Sequence, residues 1–197
     1  MNIHRESTIQ RKTNETDIRL SLTLDGEGKA SLHTGVPFLD HMLTLFAVHG
    51  FFDLTIEAAG DLDIDAHHTV EDVGICLGQA FKAALGDFSA INRYGHCSLP
   101  MDESLARVTV DFSNRPYLHY DVVQCDQKVG TFDTALVQEF LRAFSLHGGM
   151  TLHAEVPYGH NTHHILEAIF KALGRTLDQA TARHLRTQGP LSSKGSL

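Results

Sequence analysis

One short run occurs twice in this chain, His67-His68-x-x-Glu71 and His163-His164-x-x-Glu167, and its surroundings repeat with it. Val48-His49-Gly50 matches Leu146-His147-Gly148, and six residues beyond each glutamate comes Leu-Gly, at Leu77-Gly78 and Leu173-Gly174. The stretches from His49 to His67 and from His147 to His163 differ by one short loop indel. Order and spacing of this kind are hard to duplicate by accident, so the chain is read as two copies of one unit.

Hydrophobic periodicity gives the unit its elements. Residues 17–24 alternate apolar and polar with Ile18, Leu20, Leu22 and Leu24 on one face, which is a half-buried strand. A turn at 25–28 leads to a short strand near 29–33, and Pro37 opens a helix that stops at Gly50. A strand at 52–57 and a helix over 67–85 follow. The second half predicts strands at 105–112 and 117–123, a helix over 134–147 ending at Gly148-Gly149, a strand at 150–156 and a helix over 163–183. Each half therefore reads β-β-α-β-α. The expected fold is α+β, with sheets covered on one face by helices and a pseudo-twofold relation between halves. No Pro-, Gly- or Ser-rich linker divides them. Residues 1–197 are read as a single domain of two repeats, about 15–87 and 104–185, followed by a tail, 186–197.

Histidine is abundant, 14 of 197 residues, and its placement points to metal chemistry. On a helix, His67 and Glu71 share a face, as do His163 and Glu167, while His68 and His164 leave about 100° away and face a different ion. His41, eight residues before His49, has Glu139 as its counterpart before His147. Repeat symmetry then predicts two ions, one held by His41, His68, His163 and Glu167, the other by Glu139, His164, His67 and Glu71, with part of the set completed between subunits. Imidazoles with carboxylates suit Mn, Fe, Co or Zn better than Mg or Ca. His4, His33, His119, His153 and His184 show no partner pattern and are read as ordinary strand, sheet or tail residues; His96 and His160 are left open. Asp72 is read as either a support to Glu71 or a solvated neighbour. Arg93, Arg115 and the tail residues Ser192, Ser193 and Lys194 are the usual chemical types for gripping phosphate.

The remaining composition excludes more than it selects. A net charge of −8 with no basic stripe argues against nucleic acid. No apolar run approaches the roughly 20 residues of a membrane span, and residues 1–12 carry no signal-peptide core. Cys76, Cys97 and Cys125 are odd in number and far apart, and read as reduced, buried thiols of a cytoplasmic protein.

Longer motifs run along nearly the whole chain. They include Arg11-Lys12-Thr13-x-Glu15-Thr16, 34–43 (TGVPFLDHML), Gly60-Asp61-Leu62, His67-His68-Thr69-Val70-Glu71-Asp72, Pro100-Met101-Asp102-Glu103, Arg115-Pro116-Tyr117, 163–171 (HHILEAIFK) and Ser192-Ser193-Lys194-Gly195. In these the sequence resembles the imidazoleglycerol-phosphate dehydratases of histidine biosynthesis. The resemblance implies two Mn2+ per active site and a large homo-oligomer of about 24 subunits with sites at subunit boundaries. It implies a substrate-contacting set of Glu15, His41, His49, His67, Glu71, Arg93, Arg115, His163, Lys171, Ser192, Ser193 and Lys194. The chain departs from the family pattern at Glu139, where histidine is common, at Asn114, where glycine is common, and at His160, where lysine is frequent. It also lacks the phosphatase domain fused to some relatives.

The implied reaction, that of a hydro-lyase (EC 4.2.1.19), converts imidazoleglycerol phosphate to imidazoleacetol phosphate. It removes a hydroxyl beside the ring and a proton from the next carbon. That proton has no carbonyl to acidify it, so Lewis acids at the ring nitrogens are what the chemistry requires. Glu15 is the candidate base, in competition with a metal-bound hydroxide or a histidine. Two other readings fit parts of the pattern: a dinuclear metal-dependent phosphohydrolase, and a helical-bundle metal store, against which the strand patterns argue.

Overall fold

The computed structural model describes residues 5–122, 126–187 and 189–197. The first half contains β1 (Glu6–Lys12), β2 (Thr16–Thr23), β3 (Ala30–His33), α1 (Pro37–Gly50), β4 (Asp53–Gly60) and α2 (His67–Leu85). The second contains β5 (Tyr94–Met101), β6 (Ser104–Asp111), β7 (Tyr117–Val122), a small hairpin of β8 (Lys128–Val129) and β9 (Phe132–Asp133), α3 (Leu136–Gly148), β10 (Thr151–Tyr158) and α4 (Thr162–Thr181).

The two four-stranded sheets have the same topology, β1-β2-β4-β3 and β5-β6-β10-β7. In each, the final pair, β4-β3 or β10-β7, is parallel and the rest are antiparallel. Alternation sets the facing: Ile18, Leu20 and Leu22 of β2 are buried while Asp17 and Arg19 are exposed. The fold is α+β and duplicated, and each half opens with an edge strand that the periodicity did not predict. β1 (ESTIQRK) has no fully buried residue, and β5 (YGHCSLPM) is interrupted by Gly95 and Pro100. Neither carries the alternating apolar face on which the reading relied.

Helices cross between the halves. α2 packs on β1 and β2, α4 on β5 and β6, and then α1 packs against α4 and α3 against α2. A ring of phenylalanines lies where they meet: Phe46 of α1 is 6.1 Å from Phe81 of α2 and 6.3 Å from Phe144 of α3, and Phe140 is 5.6 Å from Phe170 of α4. The repeated glycines are the contact points. A Cβ on Gly78 would stand 2.7 Å from the Gly148 nitrogen and from the Phe144 carbonyl oxygen. One on Gly174 would stand 2.5 Å from the Phe46 oxygen and 3.0 Å from the Gly50 nitrogen. Gly50 is therefore a packing residue rather than the helix stop; the left-handed C-cap is Phe51, at φ 56. Gly149, at φ 68, caps α3 as expected.

Cys76 is buried and Cys97 half-buried, and neither forms a disulfide. Cys97 thus differs from the fully buried thiol expected, because β5 is an edge strand. His4, Val123 and Cys125 lie outside the described residues.

Replacing Gly78 with Ala should cost about 1–3 kcal/mol in chemical denaturation, since backbone atoms on both sides of the crossing must shift. Burial raises the Cys76 thiol to about 11, so at pH 8 it stays protonated. Mass spectrometry after iodoacetamide treatment should find Cys76 labelled only in denatured protein.

Candidate active site

Both His-His pairs sit in the first turn of a helix. In α4 the Asn161 side chain accepts from the N–H of His163 at 3.0 Å and of His164 at 3.4 Å; in α2 the Asp65 carboxylate accepts from the His67 N–H at 2.7 Å. These caps satisfy orphan donors and fix how the imidazoles leave the helix.

Because α1 crosses α4, His41 of the first half meets His163 and Glu167 of the second, and their ligand-type atoms all lie within 4.8 Å of one another. Glu167 Oε2 is 3.2 Å from His163 Nε2 and 3.8 Å from His41 Nε2, and Lys171 Nζ holds Oε1 at 2.5 Å. Burial pushes the Glu167 carboxyl upward, but the Lys171 hydrogen bond and charge outweigh it and keep the group below its usual range. It is a carboxylate at neutral pH. The crossing of α2 and α3 builds a related cluster: His67 Nε2 is 3.7 Å from Glu71 Oε2, and Arg142 pairs with Glu139 while reaching Glu71 at 3.9 Å.

His68 and His164 join neither cluster within one chain. His68 Nδ1 lies 3.0 Å from Asp61 Oδ2, with Glu15 Oε1 3.7 Å from Nε2, and His164 Nδ1 lies 2.8 Å from Glu103 Oε2. The carboxylate hydrogen bond is in each case the main cause of a raised imidazole pKa. Glu103 is held well below its usual range by His164 and then by the Asn161 N–H. Carboxylate at Nδ1 leaves Nε2 free, the arrangement that orients a metal-ligating histidine. The four-residue sets drawn from repeat symmetry are thus not assembled inside one chain, because neighbouring helical residues diverge by about 100°.

His49 packs near Lys171 and Arg175; burial first, then these cations, lower its pKa. Its counterpart His147 is lowered by burial and then by Arg11. Asp72 is not solvated: it is buried, accepts from Thr16 Oγ1 at 2.5 Å and pairs with Arg11 at 3.0 Å, tying α2 to β1 and β2.

Arg115, Ser192, Ser193 and Lys194 line one depression together with Arg93. Arg93 is buried and committed: Nε and a terminal nitrogen donate to the two Asp111 oxygens at 2.6 and 3.0 Å, and the other terminal nitrogen donates to the Leu191 carbonyl at 2.5 Å. It therefore anchors the tail. Among the described residues the Arg115 and Lys194 side chains have no carboxylate partner, which leaves this depression electropositive. Asn114, before Arg115, takes a positive φ of 53.

A family model described as imidazoleglycerol-phosphate dehydratase matches residues 34–177. The imidazoleglycerol-phosphate dehydratase of Syntrophobacter fumaroxidans is 64% identical, with 98% of each chain covered, and that of Desulfotalea psychrophila is 59% identical over 98% of this chain and 97% of its own. The chain belongs to the imidazoleglycerol-phosphate dehydratase family. Solved dehydratase structures agree: the Staphylococcus aureus protein superposes with a TM-score of 0.82 at 44% identity, covering 90% of this chain and 99% of that one. The Pyrococcus furiosus protein, in complex with (S)-C348, gives 0.84 at 38%, covering 96% and 100%. Membership in this dehydratase family makes the chain a hydro-lyase, displacing the phosphohydrolase reading, and its sheets exclude the helical bundle.

Three polar residues had no role in the sequence reading. Asp61, Glu103 and Arg142 reach the site through contacts spanning 7, 61 and 71 positions (to His68, His164 and Glu71), and only the first two lay inside noted motifs. Another departure concerns His119 and His153, which were expected to lack partners and instead group with Glu155 on the second sheet.

Arg93→Lys keeps the charge but loses the fork onto Asp111 and the Leu191 carbonyl. It should lower stability by roughly 1–3 kcal/mol, and hydrogen exchange should quicken in residues 189–197.

Proposed function

We propose that this chain dehydrates imidazoleglycerol phosphate to imidazoleacetol phosphate in histidine biosynthesis, using two Mn-class ions per active site in a cytoplasmic homo-oligomer of about 24 subunits. The observation that carries the metal reading is the meeting of His41, His163 and Glu167 within 4.8 Å across the helix crossing. The donor chemistry fits the group: two imidazoles with one carboxylate, itself held in the ionised form by Lys171, suit a borderline divalent ion. His68 and His164, each held at Nδ1 by a carboxylate, offer Nε2 as further ligands, and His67, Glu71 and Glu139 supply the second set.

Within one chain these donors do not converge on one cavity. His41 borders a cleft beside Phe38 and Asp65, His163 and His164 line an adjoining depression beside Glu103, and the electropositive depression at Arg115 is separate from both. That separation supports sites finished by neighbouring subunits. No helix among the described residues is long and apolar enough to cross a membrane, and Cys76 and Cys97 are free thiols.

A bound Mn-class ion supplies Lewis acidity toward the substrate's imidazole ring. The protein does the rest by positioning. Arg115, Ser192, Ser193 and Lys194 hold the phosphate, a planar fork and small donors matched to its oxygens. Arg93 keeps the tail in place for that contact. Glu15, 3.7 Å from His68 Nε2, is the carboxylate assigned here to accept the proton from the side-chain carbon. His49, kept neutral by burial, adds a half-buried imidazole near Lys171 and Glu167.

The test is elemental analysis of the purified protein together with turnover before and after chelation. About two Mn-class ions per chain, with ketone product lost on chelation and restored by Mn2+, support the reading; absence of bound metal overturns the two-ion site. Glu15→Gln should retain its metal and lose about 10²–10⁴-fold in kcat. Glu103→Gln should weaken metal binding by about 10–100-fold.

A further inference from the structure

The outer face of the second sheet carries a cluster that the active site does not use. Cross-strand register aligns His96 of β5 with Thr109 of β6, Thr109 with His153 of β10, and His153 with His119 of β7, forming one transverse row. Glu155 lies two residues along β10, on the same face as His153. The His119 and His153 rings are 5.1 Å apart, and His119 Nε2 is 3.8 Å from Glu155 Oε1. One ligand-type atom from each of the three residues lies within 4.8 Å of the others.

We propose that His119, His153 and Glu155 form a separate surface site for a transition-metal ion of the Zn2+, Co2+, Ni2+ or Cu2+ class. Two imidazoles and one carboxylate are the donors that favour these ions over Mg2+ or Ca2+. Tetrahedral coordination at bond lengths near 2.0–2.1 Å separates ligand atoms by roughly 3.4 Å, so the three atoms close on an ion with small side-chain rotations. All three residues are half-buried, which gives them room to rotate while the paired strands hold their Cα positions. Among the described residues none of the three side chains makes a hydrogen bond that would have to break, and Arg107, opposite Glu155 on β6, forms no ion pair with it. The remaining coordination positions face solvent, beside a depression lined by His96, Thr109 and Arg107. An ion here ties edge strand β7 to β10, and binding to the native state alone raises stability by mass action.

Chelator-stripped full-length protein titrated with Co2+, followed by visible absorption and equilibrium dialysis, tests the site. The double variant His119→Ala/His153→Ala should bind about one Co2+ per chain fewer than the parent, while Mn2+-restored turnover and circular dichroism match it. Glu155→Gln should bind that ion more weakly, and it decides the question should the double variant fail to fold. Equal Co2+ stoichiometry and affinity in parent and variants overturns the proposal. The comparison reads metal per chain, so it stands independently of whether the parent turns over the substrate proposed above.

Discussion

The two histidine–glutamate clusters of the candidate active site depend on two close helix crossings, α1 over α4 and α3 over α2. Each puts a glycine against the backbone of the other half: Gly174 on Phe46 and Gly50, Gly78 on Phe144 and Gly148. With no side chain between them, the helices approach closely enough to carry His41 of the first repeat to His163 and Glu167 of the second. The same geometry brings Glu139 toward Glu71 through Arg142. Neither repeat builds a cluster from its own helices. The halves are therefore interdependent in function as well as in packing, since the phenylalanines that fill the crossing come from all four helices.

A second consequence is the division of labour inside each His-His pair. The first histidine shares a helix face with the glutamate four residues on; the second departs toward a carboxylate, Asp61 for His68 and Glu103 for His164. Two adjacent imidazoles thus meet two electrostatic environments without any change in the helix. Each cluster also contains a cation against its glutamate, Lys171 at Glu167 and Arg142 at Glu71. At the buried Glu167 the Lys171 hydrogen bond and charge outweigh the cost of burial and keep the carboxylate ionised.

The duplicated motif, the order of the main elements and the α+β class were legible in the sequence because they are local. Periodicities of two and near 3.6 depend only on which side of an element faces the core. The edge strands β1 and β5 escaped for the same reason: an edge strand with one wet side and few apolar residues has little periodic signal. The helix-end rule makes Gly50 a stop signal, but close packing is what requires a glycine there, and the left-handed cap is Phe51.

By itself the sequence determined which residue types are available and how each leaves its helix, and hence that two His-His-x-x-Glu units exist. Tertiary structure alone decided who meets whom. It paired His41 with the second repeat, gave His68 and His164 their carboxylates, committed Arg93 to Asp111 and the tail, and gathered His119, His153 and Glu155 on one sheet face. Apart from His68 with Asp61 and His153 with Glu155, these contacts join residues far apart in the chain, through strand register and helix crossing, and no local pattern encodes such distances.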